Sequence, residues 1–110
     1  MTLAELKIAL EGINDNAFSG KVAYRAFPVD AAPDLPFICF METETSNFFA
    51  DAQVYKKVQS VNVELYTNQK DTATEDAVEK MLNDNLILWD KSEYYISSEN
   101  MLQVLYEFDL

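Results

Sequence analysis

The stretch at residues 54–67, "VYKKVQSVNVELYT", decides the fold because it predicts one strand too long for a small domain. Its second half alternates the apolar residues Val61, Val63 and Leu65 with polar or aromatic neighbours, which is typical of a strand with one buried face. At about 3.3 Å per residue the stretch spans roughly 45 Å. We therefore expect a long β-hairpin that protrudes beyond the main sheet.

The first half of this stretch follows a different parity, because Val54 and Val58 lie on even positions and the later apolar residues on odd ones. Two interpretations remain open. Either a β-bulge falls near Gln59 and Ser60, or the strand leaves the core and its two ends face different partners.

Upstream of the hairpin, the N-terminus predicts a helix. Thr2 and Glu5 fit a capping box, and Gly12 followed by polar residues ends the helix. The apolar positions at helical spacing are Leu3, Leu6, Leu10 and Ile13. The next segments are predicted as a strand at 21–27, a three-proline loop at 28–36, a buried strand at 37–41 and a polar connection at 42–52, "ETETSNFFADA".

Downstream, residues 68–85 predict a second helix, with a capping box from Thr72 and Glu75. Its apolar stripe comprises Ala73, Ala77, Val78, Met81 and Leu82. "LILW" at 86–89 is expected to form a buried connection or a short strand. Residues 93–97 and 101–110 predict a closing hairpin around "SEN". The apolar face of its last strand comprises Leu102, Val104, Tyr106, Phe108 and Leu110.

These elements predict a single α+β domain over residues 1–110, in the order α-β-β-β-α-β-β. We expect one sheet, dominated by antiparallel pairing, packed against two helices, with the long hairpin protruding. The residues assigned to the core are Val63, Leu65, Leu102, Val104 and Phe108.

The charge of the chain excludes some functions. Eight basic and nineteen acidic residues give a net charge of −11, which opposes binding to nucleic acid. No apolar run approaches the roughly 20 residues that cross a bilayer, and the N-terminus has no signal-peptide pattern, so we expect synthesis in a cytoplasm and no membrane contact. The lone Cys39 lies in an apolar run and is interpreted as a buried thiol.

The charge is also unevenly distributed. Three lysines and one glutamate give residues 54–70 a net charge of +2, whereas residues 1–53 carry −5 and residues 71–110 carry −8. Complementary surfaces between copies of the chain would explain this pattern. Lysines that protect a solvated strand edge would explain it equally well.

The residues that usually carry catalysis are scarce. There is no histidine, one cysteine and only two glycines, which argues against a zinc site and a phosphate-binding loop. Acidic pairs such as Glu42 and Glu44 have no ligand-loop spacing and are interpreted as solvated surface. The sequence therefore predicts a protein that is not an enzyme and that has no cofactor and no metal.

Aromatic residues exceed what the apolar stripes require. Phe48 and Phe49 are adjacent in a polar stretch, and neighbouring side chains of an extended chain point in opposite directions. We interpret one ring as packed within the chain and the other as available to another chain.

Taken together, four segments resemble a family of small proteins. They are "LPFICF" (35–40), "FFADAQVYKKVQSVNVELYT" (48–67), "KDTATEDAVEKML" (70–82) and "YYISSENMLQVLYEFDL" (94–110). The family is that of the tail terminator proteins, also described as tail completion, minor tail or head–tail joining proteins, of long-tailed phages and prophages of Gram-positive bacteria. The likeness covers nearly the whole chain and is most specific at residues 51–71.

The resemblance implies a structural virion protein, made in the bacterial cytoplasm, that closes into a six-membered ring. Such a ring caps the tail tube, ends its polymerisation and presents a surface for head–tail joining. The implied partners are copies of itself, the major tail tube protein and a head-completion or connector protein. DNA would pass through the acidic lumen without specific binding, so neutralising inward-facing acids should slow ejection. The candidate interface residues are Phe48, Phe49, Tyr55, Lys56, Lys57 and Tyr66.

Two alternatives stay open. One is another neck component, such as a head-closure protein, which would differ in contacting the portal or adaptor instead of the tail tube. The other is an acidic inhibitor or DNA mimic, which would need carboxylates at phosphate-like spacing along one face. That spacing is not evident in the sequence.

Overall fold

The computed structural model describes the backbone of residues 1–50 and 53–110 and the side chains of residues 1–47 and 57–110. Its elements confirm the α+β class and the predicted order, with one additional short helical turn. They are α1 (Leu3–Glu11), α2 (Ile13–Asn16), β1 (Val22–Tyr24), β2 (Phe37–Ala50), β3 (Gln53–Thr67), α3 (Thr72–Asp84), β4 (Trp89–Ile96) and β5 (Met101–Asp109).

The five strands form one sheet in the order β1-β2-β3-β5-β4. β1 runs parallel to β2, and the other three pairings are antiparallel, so the sheet is dominated by antiparallel pairing as predicted. The parallel pairing is possible because the loop at residues 25–36 is long enough to return the chain to the same end of the sheet.

β3 is the central strand, and its alternation sets the core. Val63 and Leu65 are fully buried, and Ile38 of β2 and Val104 of β5 flank Leu65 on the same face. The helices cover this face, with Leu6, Leu10, Val78 and Leu82 packed against it. The predicted core residues are confirmed, since Phe108 is also buried and Leu102 packs against the cluster.

The predicted capping box of α1 is confirmed, because the Glu5 amide donates to Thr2 Oγ1 and the Thr2 amide donates to Glu5 Oε1. The predicted capping box of α3 is wrong. Asp71 is the N-cap and accepts a hydrogen bond from the Thr74 amide at 3.1 Å, and Thr72 is the first helical residue. Glu75 is buried and bound to lysines instead.

The connection predicted at residues 42–52 is wrong for its described part, because β2 continues to Ala50. Alternation of apolar and polar residues marks a strand only where one face is buried. From Glu42 to Asn47 the side chains are half-buried or exposed on both faces, so the sequence lacks that signature.

"LILW" does not form a buried connection. Leu86 and Leu88 are each 91% exposed, and only Ile87 between them enters the core. β4 begins at Trp89 and therefore starts four residues before the predicted strand at 93–97. The closing hairpin and its turn at residues 97–100 are as predicted.

The parity change in β3 falls where β3 leaves the core and its pairing with β2 becomes irregular. A bulge lies on β2 at Thr43, opposite Ser60, and a second register shift falls between Phe48 and Phe49. In addition, β5 ends at Asp109, which pairs with Ser60, so β3 leaves the core at that point. The sequence predicts a bulge on β3, near Gln59 and Ser60, whereas the bulge lies on the partner strand β2.

Candidate functional site

A two-stranded hairpin projects beyond the sheet. β3 pairs with β5 as far as Ser60, and the Leu110 amide donates to the Gln59 carbonyl at 2.8 Å. Beyond Gln59, five residue pairs, from Ser46–Val58 to Ala50–Gln53, join β2 and β3 alone. The molecule measures 51 × 28 × 24 Å along its principal axes, which agrees with one projecting element. We call residues 45–59 the arm. The predicted protruding hairpin is confirmed.

The base of the arm is fixed by side chains around the Thr43 bulge. Thr43 Oγ1 donates to the Ser60 carbonyl at 3.2 Å. The Glu42 carboxylate accepts hydrogen bonds from Thr45 and, at 3.0 Å, from Gln59 Nε2. The Thr45 hydrogen bond lowers the pKa of Glu42, with a smaller effect of Lys57. These contacts make the arm a defined extension of the sheet.

Five of the six candidate interface residues are brought together on the arm. Phe48 pairs with Lys56 and Asn47 with Lys57, and the second register shift leaves Tyr55 as the extra residue on β3. Lys57 is exposed. The side chains of Phe48, Phe49, Tyr55 and Lys56 lie outside the described residues.

The sixth candidate, Tyr66, is not brought to the arm. It lies at the opposite end of β3, where its ring packs on Phe37 with 5.1 Å between centroids. Its hydroxyl donates to Glu64 Oε1 at 3.3 Å and accepts from Gln103 Nε2 at 3.0 Å. Burial, followed by the Glu64 charge, raises the pKa of Tyr66 to about 12. This tyrosine belongs to the sheet face opposite the helices.

Cys39 lies on that same face and is buried, as predicted. Burial, and secondarily Glu64, raises the pKa of its thiol to about 11. A thiol in this environment stays protonated and is a poor nucleophile at neutral pH.

Sequence reasoning missed a buried ionic cluster. Glu75 is 1% exposed, and its Oε1 lies 2.8 Å from Lys70 Nζ and 2.7 Å from Lys91 Nζ. Burial alone opposes ionisation of Glu75, but the two lysines outweigh it and keep its pKa below the usual value. The sequence did contain a signal for burial of Glu75, because this residue lies on the same helical face as the apolar residues Val78 and Leu82.

This cluster ties elements together. Lys91 also lies 2.7 Å from Glu79 Oε2, and the Tyr106 hydroxyl donates to the same oxygen at 2.8 Å. The contacts therefore connect α3 with β4 and β5 at the edge of the core.

The described residues contain no group of three or more acidic, cysteine or histidine side chains placed to hold a metal ion. No helix in the described ranges has the length and apolar character needed to cross a bilayer. No protein-family model matches the chain, and a search of curated proteins found no match.

Proposed function

We propose that this chain is a structural subunit that closes with its copies into a ring and caps the tail tube of a long-tailed phage. The ring would end tube polymerisation and form the head–tail joining surface. Its site of action would be the virion, at the junction of tail and neck, after synthesis in the bacterial cytoplasm.

The observation that carries the proposal is the arm. A two-stranded hairpin is marginally stable in water, so the five residue pairs beyond Gln59, which no other described strand flanks, contribute little to the stability of one chain. Beyond Gln59, both edges of the described part of the arm carry backbone groups that can pair with another chain. An element of this kind is well suited to contact between subunits.

Two further features support an assembly role. The arm carries Lys56 and Lys57, whereas the whole chain has a net charge of −11. The basic surface of one subunit can therefore align with an acidic surface of the next, which fixes how the two subunits are positioned. A ring also requires two different surfaces on each subunit, and the arm and the globular body are distinct surfaces. The terminator assignment itself depends on the resemblance of residues 35–110.

The experiment is a stop codon in the gene within the phage or prophage that carries it, with electron microscopy of the lysate. Overlong tails without heads would support a terminator. Tails of normal length beside DNA-leaking heads would contradict it and favour a head-closure role. Complementation in trans with the intact gene should restore tail length, which controls for effects on neighbouring genes.

A further inference from the structure

A groove lies at the end of the sheet where β5 stops, next to the base of the arm. Its volume is about 610 Å³. Its lining includes apolar side chains from the turn after α3 and from Met1 and Leu110, three carboxylates, and neutral polar side chains such as Asn62 and Asn85. We call it the acidic groove; the residues that define it are Met1, Leu86, Leu88, Leu110, Asp90, Glu107 and Asp109.

The turn that forms one wall has an unusual residue. α3 ends in a Schellman motif, in which the Ile87 amide donates to the Leu82 carbonyl and the Leu86 amide to the Asn83 carbonyl, both at 3.0 Å. Leu86 occupies the left-handed position with φ 59°, where glycine is the usual residue. A leucine there crowds its own backbone, so local stability does not explain its presence.

The side chains of Leu86 and Leu88 are also not stabilised by burial in the core. Each is 91% exposed, whereas Ile87 between them is buried. Large apolar side chains placed together on the wall of a groove are typical of a surface that another molecule covers. Leu86 and Leu88 therefore favour an occupant with apolar groups.

The charge of the groove specifies the rest of the occupant. Asp90, Glu107 and Asp109 are exposed, and Ser60 Oγ donates to Asp109 Oδ1 at 2.9 Å. Among the described residues that line the groove, none is a lysine or an arginine. Apolar walls beside these carboxylates favour a segment that is both aromatic and basic.

The arm has this composition. Lys56 and Lys57 against Asp51 give it a net charge of +1, so the rest of the chain carries −12. It also contains Phe48 and Phe49, two large apolar side chains that backbone pairing between the two strands does not require.

The outer part of the arm, where Phe48 and Phe49 pair with β3, extends away from the groove of its own chain. Thr43 and Ser60 line the groove at the base of the arm, and the ladder runs from there to Ala50 and Gln53. Seven residues of strand at about 3.4 Å each place the tip roughly 24 Å away. The groove and the arm tip of one molecule are therefore available to two different neighbours.

We propose that the acidic groove of one subunit binds the arm of a second copy of this chain. Leu86 and Leu88 contact the aromatic side chains of the arm, and the groove carboxylates pair with its lysines. Repeated head to tail, this contact joins unlike surfaces and closes into a ring. The inference rests on the proposed function, for which it supplies the contact between subunits.

Disulfide trapping tests the contact even when association is weak. A Phe49→Cys variant and a differently tagged Leu88→Cys variant are mixed under mild oxidation. The control replaces Leu88→Cys by Val29→Cys, which is 92% exposed and does not line the groove. We expect a mixed disulfide between the first two that exceeds the control several-fold. Equal yields, or no disulfide, would overturn the proposal.

Charge reversal gives an independent test, with the same trapping yield as readout. The arm variant carries Lys56→Glu and Lys57→Glu, and the groove variant carries Asp90→Lys and Glu107→Lys. Each variant alone should lose trapping, because like charges then face each other. A mixture should regain it, because every arm then meets a groove of opposite charge. A mixture no better than the separate variants would contradict the pairing of these surfaces.

The outcomes separate the two proposals. If a stop codon produces overlong tails but trapping fails, the capping role stands and the groove contact is wrong. If trapping succeeds but the stop codon leaves tail length and head joining unchanged, the contact stands and the capping role is wrong.

Discussion

The Lys91 ammonium lies 2.7 Å from Glu75 Oε1 and 2.7 Å from Glu79 Oε2, so one side chain of β4 joins two turns of α3. Glu75 is buried, and Lys70, which also binds Glu93 at 2.6 Å, contacts it from the segment before the helix. The contact between α3 and the sheet is therefore stabilised by the ionised form of the Glu75 carboxylate.

Stability should fall in acid because of Glu75. Its pKa in the folded chain is below the ordinary 4.5, so its contribution is complete above that pH and is lost as the pH falls through the folded pKa. Glu75→Gln should cost about 1–3 kcal/mol at neutral pH, through loss of charged hydrogen bonds, and should flatten this part of the pH profile. Urea unfolding at a series of pH values measures both effects.

The matched control is Glu99→Gln, which removes an exposed carboxylate from the β4–β5 turn and should leave the profile unchanged. If Glu75→Gln kept the full acid dependence of the original chain, another carboxylate would be responsible.

Truncation of the central strand should destabilise the chain strongly. Leu65 is fully buried between Ile38 and Val104, so Leu65→Ala should cost about 2–5 kcal/mol through lost burial and the cavity that remains. Val29→Ala, at a 92% exposed position, should change the free energy of unfolding by about 0.5 kcal/mol or less. Similar values for the two variants would refute the assigned core.

Leu86→Gly should raise stability and weaken association. A left-handed L-residue costs about 1–2 kcal/mol, partly offset by the greater chain entropy that glycine loses, so we expect a gain of about 1 kcal/mol. Association should decrease because an apolar wall of the acidic groove is removed. Thermal unfolding of the isolated chain and disulfide trapping between copies measure the two quantities.

Leu86→Ala is the control, since it removes most of the side chain but keeps the left-handed residue. It should weaken trapping without the gain in stability. Trapping that is insensitive to both changes would exclude Leu86 from the contact.

Reversal of one arm charge should affect assembly but not folding. Lys57 is exposed, so Lys57→Glu should leave the free energy of unfolding within about 0.5 kcal/mol of the original. Association should weaken by roughly tenfold, about 1.4 kcal/mol, because a like charge then faces the groove carboxylates. Sedimentation or trapping yield measures it.

Lys7→Glu makes the same change in net charge on α1, away from the arm, and should have little effect. An equal loss from both substitutions would indicate general repulsion between acidic chains. If the chain caps a tail tube as proposed, Phe49→Ala should also lengthen the tails. Tails of normal length would refute an essential role of the Phe49 side chain.

The sequence predicted the central part of the fold well and its periphery poorly. The alternation of Val61, Val63 and Leu65 located β3 correctly because one face of that segment is buried. The sequence predicts a connection where β2 continues to Ala50. The side chains from Thr43 to Asn47 are exposed, so the apolar–polar alternation of a strand with one buried face is missing there. The length of the 54–67 stretch still predicted the protrusion.

Of the two candidate surfaces, the arm could be predicted from the sequence and the acidic groove could not. The lysines and aromatic residues of the arm could be recognised from their order in the chain. The acidic groove could not, because Leu86 follows α3 and Glu107 belongs to β5, and only the fold places them together. The position of Glu75 on the buried stripe of α3 was a local signal, but its partners Lys70 and Lys91 come from other segments and only the fold places them around it.

The sequence by itself determined that β3 and β5 bury one face, that α1 begins at the Thr2–Glu5 capping box, and that a basic aromatic hairpin belongs to an acidic chain. These properties follow from local periodicity and from net charge. Only the tertiary structure decided where β5 ends against β3, and with it how far the arm extends and which side chains form the groove at its base. That decision depends on contacts between residues distant in the chain, which local patterns do not encode.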